Sequence, residues 1–125
     1  MKRLLSALLL LAAANAAAGE KSVSLERNFG TLYGTLLTPD EGAETVAVLI
    51  AGSGPTPRNG NTNKYLYLAQ ELEKAGIATL RYDKRGIGSS KFDDPDKMAD
   101  ATLDDFIGDA AAWACLLYTS PSPRD

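Results

Sequence analysis

From Ser22 to Pro39 apolar and polar residues alternate weakly, with Val23, Leu25 and Phe29 and then Leu32, Gly34 and Leu36 on recurring positions. A period of two is what a half-buried strand requires, so two antiparallel strands are predicted here. After a polar loop from Asp40 to Thr45 the pattern changes, and Val46 to Gly52 (VAVLIAG) is continuously apolar. Such a run predicts a strand buried on both faces, as in a parallel sheet. Lys64 to Gly76 then follows a helical period, with Leu68, Ala69, Leu72 and Ala75 on one face and Gly76 in the position that follows a helix C-cap. A second apolar strand, Ile77 to Asp83 (IATLRYD), completes a strand–helix–strand unit.

Residues 84 to 100 (KRGIGSSKFDDPDKMAD) read as loop. Thr102 and Asp105 then form the spacing of a capping box, and Leu103, Phe106, Ile107, Ala110, Ala111 and Ala114 supply an apolar stripe for a second helix, complete by Ala114. The predicted class is therefore α/β: a β-hairpin, then β, α, β and α of a mostly parallel sheet.

The two ends depart from this pattern. Lys2 and Arg3 precede an apolar run from Leu4 to Ala14 and small residues offering an A-x-A cleavage site at Ala16 or Ala18. That order is expected of a secretory signal peptide over residues 1–18, with a membrane anchor as the alternative; the run is shorter than the roughly 20 residues a span needs. Export to the periplasm or the exterior is the expectation, with no stable membrane anchor after cleavage. At the other end, Cys115 to Asp125 (CLLYTSPSPRD) fits no predicted element and ends in a Ser-Pro-Ser-Pro run that reads as unstructured. Back-translated, it resembles, residue for residue, a transposase-type adaptor of sequencing libraries. Residues 115–125 are therefore expected to be a non-native tail, against the alternative of a divergent natural terminus, and residues 19–114 to be the domain proper.

Composition narrows the chemistry. With 45% hydrophobic and 23% charged residues the chain is ordinary for a globular protein. Its 13 Lys and Arg face 16 Asp and Glu, and Lys2, Arg3 and Arg124 lie in the terminal segments, so the middle is more acidic still. No basic cluster is left to meet phosphates, which argues against a nucleic-acid partner. There is no His, and the single Cys is Cys115; a disulfide framework and a transition-metal site are not expected.

Two motifs remain. The first is Gly52-Ser53-Gly54-Pro55, where an apolar strand ends and the chain turns toward a helix, the place where open α/β sheets put ligands. Dinucleotide and phosphate-loop spacings both fail, because Pro57 and Asn59 stand where glycines would be needed; glycines serving only a tight turn are the plain alternative. The second motif is LRYDKRGIGSS, residues 80 to 90. Here Asp83 and Arg85 leave a buried strand end and are expected to hold the turn through hydrogen bonds and opposite charges. Ser89 and Ser90 read as turn hydroxyls, since no general base stands beside them.

Together these residues resemble the amino-terminal part of an α/β-hydrolase. Asp83, Arg85, Gly86, Gly88 and Ser90 match the family's Asp-x-Arg-Gly-x-Gly-x-Ser position by position, and Ala51-Gly52-Ser53-Gly54-Pro55 resembles its His-Gly-x loop with Ala51 in place of His, a variant similar to that of exported hydrolases in the serine aminopeptidase and esterase branch. The resemblance covers Ser22 to Ala114 and implies an incomplete α/β-hydrolase fold. It implies acyl transfer to water from a small-molecule ester or peptide by a Ser, His and Asp or Glu triad, without a cofactor. It makes the backbone N–H of Ser53 an oxyanion-hole donor, with Gly52 and Gly54 shaping the loop. No G-x-S-x-G occurs and there is no His, so the triad is absent from this chain and the chain alone is expected to be inactive. A catalytically dead binding protein of the same fold is the other expectation.

Overall fold

A computed structural model describes residues 19–119, with side chains through Tyr118. The signal-peptide reading of residues 1–18 and the last six residues of the expected tail, 120–125, lie outside the described residues.

The alternating segment forms β1 (Glu20–Arg27) and β2 (Gly30–Leu37), paired antiparallel from Glu20 opposite Leu37 to Arg27 opposite Gly30. The two apolar runs give β3 (Val46–Leu49) and β4 (Ala78–Tyr82), paired in parallel from Val46 opposite Ala78. β2 joins β4 antiparallel, so the four strands lie in the order β1-β2-β4-β3 and the parallel character is confined to β3 and β4. Flanked on both sides, β4 is buried at all of its positions.

β3 differs from expectation. It stops at Leu49, and Ile50 is 59% exposed. The reason is topological: β3 is an edge strand of the described sheet, with a hydrogen-bonding neighbour on one side only, so its apolar run does not have both faces and both edges covered.

Between β3 and β4 the helix α1 (Lys64–Lys74) starts after the left-handed pair Thr62 and Asn63, and the Asn59 carbonyl accepts from the N–H groups of Tyr65 and Leu66. Its inward face is Tyr65, Leu66, Ala69, Leu72 and Glu73; Leu68 and Ala75 of the expected face are exposed. The stretch expected to be loop contains a 3₁₀ turn, Pro95–Asp100, capped by the Asp94 side chain accepting from the N–H of Asp96.

The helix α2 (Leu103–Thr119) opens on the predicted capping box: Thr102 N–H donates to Asp105 Oδ2 at 2.9 Å and Asp105 N–H to Thr102 Oγ1 at 3.3 Å. Its orientation corrects the sequence reading. Leu103 and Ile107 are 74% and 56% exposed, whereas Asp109 and Trp113 are 1% and 0% exposed. The stripe against the sheet runs Asp105, Asp109, Trp113 and Leu117, in steps of four. The helix also passes Ala114, so Cys115–Thr119, read from composition as outside any element, is its last turn, and Leu117 packs against the core.

That core is Phe29, Leu32, Leu80, Tyr82 and Trp113. A buried ionic group closes one side of it. The Arg85 guanidinium donates twice to the Asp109 carboxylate, each bond 2.7 Å, and lies 4.5 Å above the Phe29 ring; Arg27 adds a third bond to Asp109 at 2.9 Å. Fork-to-carboxylate geometry matches the two groups in shape as well as charge.

Breaking such a pair from one side leaves an uncompensated buried charge, which costs about 3–5 kcal/mol, while replacing both partners by apolar residues costs far less. Asp109→Leu should therefore lower the urea unfolding free energy by about 3–5 kcal/mol, and combining it with Arg85→Met, itself destabilising, should recover most of that loss. Additive losses in this double-mutant cycle would show the pair to be uncoupled.

Candidate active site

The carboxyl ends of β3 and β4 point the same way because the strands are parallel, and the turns that leave them, Ala51 to Pro55 and Asp83 to Ser90, stand side by side. A cavity of about 760 Å³ opens between these turns and α2. Ile50, Leu103, Phe106, Ile107 and Ala110 give it an apolar wall, and Gly52, Ser53 and Gly54 form its rim. The exposed part of the α2 stripe thus borders a cavity.

Gly52, Ser53 and Gly54 are exposed, and a Cβ at either glycine would meet nothing within 4 Å. The positive φ of Gly54, 97°, turns the chain back, and its carbonyl accepts from Thr56 N–H at 2.8 Å. Among the described residues no acceptor takes the N–H of Ser53.

The second turn is held from inside. Asp83, 4% exposed, accepts from the Arg58 guanidinium at 2.8 Å, from the Arg58 N–H at 2.8 Å and from the Ser89 N–H at 3.0 Å. Burial by itself would raise this carboxyl's pKa, but the Arg58 guanidinium and the two N–H donors outweigh it and hold the group below its ordinary value. Arg58 also donates to Thr35 Oγ1 at 3.0 Å, so one side chain fastens the loop after β3 to β2 and β4. Ser90 is buried, its Oγ accepting from Tyr33 N–H at 2.9 Å, and its carbonyl accepts from Gly86 N–H. At Gly88, with φ +54°, a Cβ would lie 2.6 Å from the Asp83 carboxylate. Only glycine fits that approach.

Burial first, and the Asp109 carboxylate second, push the Tyr82 phenol in the cavity wall up to about 12. Arg85 is committed to Asp109, and that hydrogen bond raises the guanidinium's pKa further. The structure brings the two sequence motifs together through residues that the sequence reading had not singled out: Arg58, which bonds Asp83, and Lys84, whose Nζ donates to the Gly52 carbonyl at 2.6 Å. Their spacing to their partners carries no local signal.

No protein-family model matches the chain, and no curated protein matches it. Solved structures do. A provisionally named hydrolase from Agrobacterium vitis S4 superposes with a TM-score of 0.60 at 18% identity, over 79% of this chain and 36% of its own. The α/β-hydrolase GrgF from Penicillium sp. sh18 gives 0.53 at 24% identity, over 82% and 33%. A cold-adapted esterase from an Arctic intertidal metagenomic library gives 0.50 at 23% identity, over 79% and 43%. What this chain shares with them is the fold, a partial α/β-hydrolase fold, and it spans from 33% to 43% of their lengths.

Two outcomes follow for the turn. Gly88→Ala must both adopt a left-handed backbone and displace the Asp83 carboxylate, so it should cost about 1–3 kcal/mol in urea unfolding. Asp83, with its pKa depressed by folding, contributes stability that is present above the unfolded value of about 3.9 and is lost as pH falls through the lower folded value. The drop in unfolding free energy between pH 6 and pH 3 should therefore be smaller in Arg58→Leu than in the wild type, the other carboxylates cancelling in the difference; an equal drop would mean that Arg58 does not set the Asp83 titration.

Proposed function

We propose that this chain carries the oxyanion-binding side of an exported serine hydrolase of the serine aminopeptidase and esterase branch, acting on ester or peptide bonds, whose nucleophile, acid and His are encoded outside these residues. The observation that carries the reading is the Gly52-Ser53-Gly54 loop, which leaves a parallel strand at the rim of an apolar cavity with the N–H of Ser53 unengaged among the described residues. An N–H donor at that position is what a tetrahedral intermediate of acyl transfer needs as its carbonyl oxygen becomes charged. The apolar wall suits the acyl or leaving group of an ester or peptide. In the complete enzyme the Ser would attack, the His would take its proton, and the N–H of Ser53 would share the oxyanion with the N–H of the residue after the Ser.

A binding protein of this fold without catalysis is the second reading, favoured by the lack of His and of G-x-S-x-G in the sequence. The uninterrupted gene separates the two. Recovered by long-read sequencing, it should continue from the helix into a short apolar strand and G-x-S-x-G, with an Asp or Glu and then a His further on. Finding CLLYTSPSPRD encoded in the genome would overturn the adaptor reading of the tail. In the enzyme that gene encodes, Ser53→Pro deletes the donor and should cost about 3–4 kcal/mol of transition-state stabilisation in kcat/KM, while Ser53→Ala keeps the N–H and should cost much less. Equal activity of the two variants would remove Ser53 from the mechanism. Amino-terminal sequencing of the same secreted product should find the chain cut after Ala16 or Ala18.

A further inference from the structure

Three cations stand where β3 and β4 end, and two of them are committed to carboxylates: Arg58 to Asp83 and Arg85 to Asp109. Lys84 is different. Among the described residues it has no ion pair, and its ammonium donates to a main-chain carbonyl, that of Gly52, at 2.6 Å. It does so from a half-buried position in the cavity wall, with Nζ 5.8 Å from the Phe106 ring centroid. Burial lowers its pKa, as expected of a lysine held out of full hydration.

The carbonyl that Lys84 holds belongs to the same peptide unit as the N–H of Ser53. No peptide bond among the described residues is cis, and in a planar trans peptide the C=O and N–H point in opposite directions. Lys84 follows β4, which pairs with β3 on one side; the other edge of β3 is open in the described sheet. The Gly52 carbonyl points at an ammonium that lies against the Phe106 ring, so the N–H of Ser53 points away from that ammonium. The loop does little to fix this peptide by itself, since Gly52 on one side of it has no Cβ and a side chain there would meet nothing within 4 Å. A charge-assisted bond to the carbonyl also polarises the peptide, which strengthens the N–H as a donor.

We propose that Lys84 is the positioning residue for the Ser53 donor: its ammonium anchors the Gly52 carbonyl and so fixes the direction of the N–H of the same peptide. The functional meaning rests on the hydrolase reading; the orientation itself does not. Lys84 touches neither substrate nor reacting atoms in this role.

The test is made on the full-length protein encoded by the recovered gene, labelled with 15N and 13C, by comparing the wild type with Lys84→Met, Lys84→Gln and Lys84→Arg. With Met, which keeps the stem and removes the charge, the Ser53 N–H order parameter should fall from about 0.85 to below about 0.6. Its residual dipolar coupling should change, and the Gly52 carbonyl carbon should move upfield. Arg should restore all three, and Gln, an uncharged donor, should lie between. Dipolar couplings in β2 and β4 report that the sheet is intact throughout. An unchanged Ser53 coupling and order parameter in either the Met or the Gln variant, with the sheet intact, overturns the proposal. No turnover enters this readout, so a recovered gene without G-x-S-x-G would refute the hydrolase reading and leave the Lys84 result standing.

Discussion

The buried pair of Arg85 and Asp109 fixes how the β1–β2 hairpin, the turn after β4 and α2 meet. Three elements distant in sequence meet there: the turn after β4 supplies the guanidinium, α2 supplies the carboxylate, and the β1–β2 hairpin supplies Arg27 and the Phe29 ring. A charge with side-chain exposure of a few percent is tolerable only when its partner is in place, so the docking of α2 and the path of the turn are fixed together. Planarity sharpens the constraint. The fork of Arg85 has to meet the carboxylate along its edge while its charge sits over the Phe29 ring, which leaves α2 little freedom to rotate about its axis. Trp113, one turn further along the same stripe, then reaches the Tyr82 ring at 5.7 Å and completes the core.

The turn that carries Arg85 is itself pinned by Asp83, and through Asp83 the constraint passes to the loop after β3. Arg58 reaches across from that loop to Asp83 and Thr35 at once, while Lys84 reaches the other way to Gly52. The two loops are thus tied by charge-assisted bonds, those of Arg58 in partly buried surroundings, where such bonds are stronger than in water. Gly88 allows the carboxylate to sit against the main chain.

This framework leaves apolar surface on one flank. Ile50, beyond the end of β3, and the outward residues Leu103 and Ile107 of α2 lie together around the cavity. A helix turned by an ionic pair on one face has to display its other face, and here the other face is the more apolar one. The buried ionic group and the apolar cavity wall follow from a single rotational choice.

Local pattern was enough for most of the elements, the Pro95–Asp100 turn and the last residues of α2 excepted. The period of two in β1 and β2, the apolar run of β4, the capping box of Thr102 and Asp105 and the glycines of residues 83 to 90 each act through neighbours a few residues apart, and each is found in the fold. The expectation that Asp83 and Arg85 hold their turn came from the same kind of reasoning, since a charge at a buried strand end needs a partner; the identity of the partners did not. Arg58 lies 25 residues from Asp83, Lys84 lies 32 from Gly52, and Arg27 lies 82 from Asp109. No periodicity registers separations of that kind. For the same reason the inward face of α2 was misread: a hydrophobic stripe predicts the buried side only when burial is apolar, and Asp109 is buried because arginines from other elements compensate it. Strand order had the same effect on β3, whose apolar sequence resembles a central strand but whose exposure is set by its place at the edge. Sequence determined the conformation of each segment through short-range sterics and capping, and tertiary structure decided which faces meet, because charge compensation and edge position exist only once distant segments are brought together.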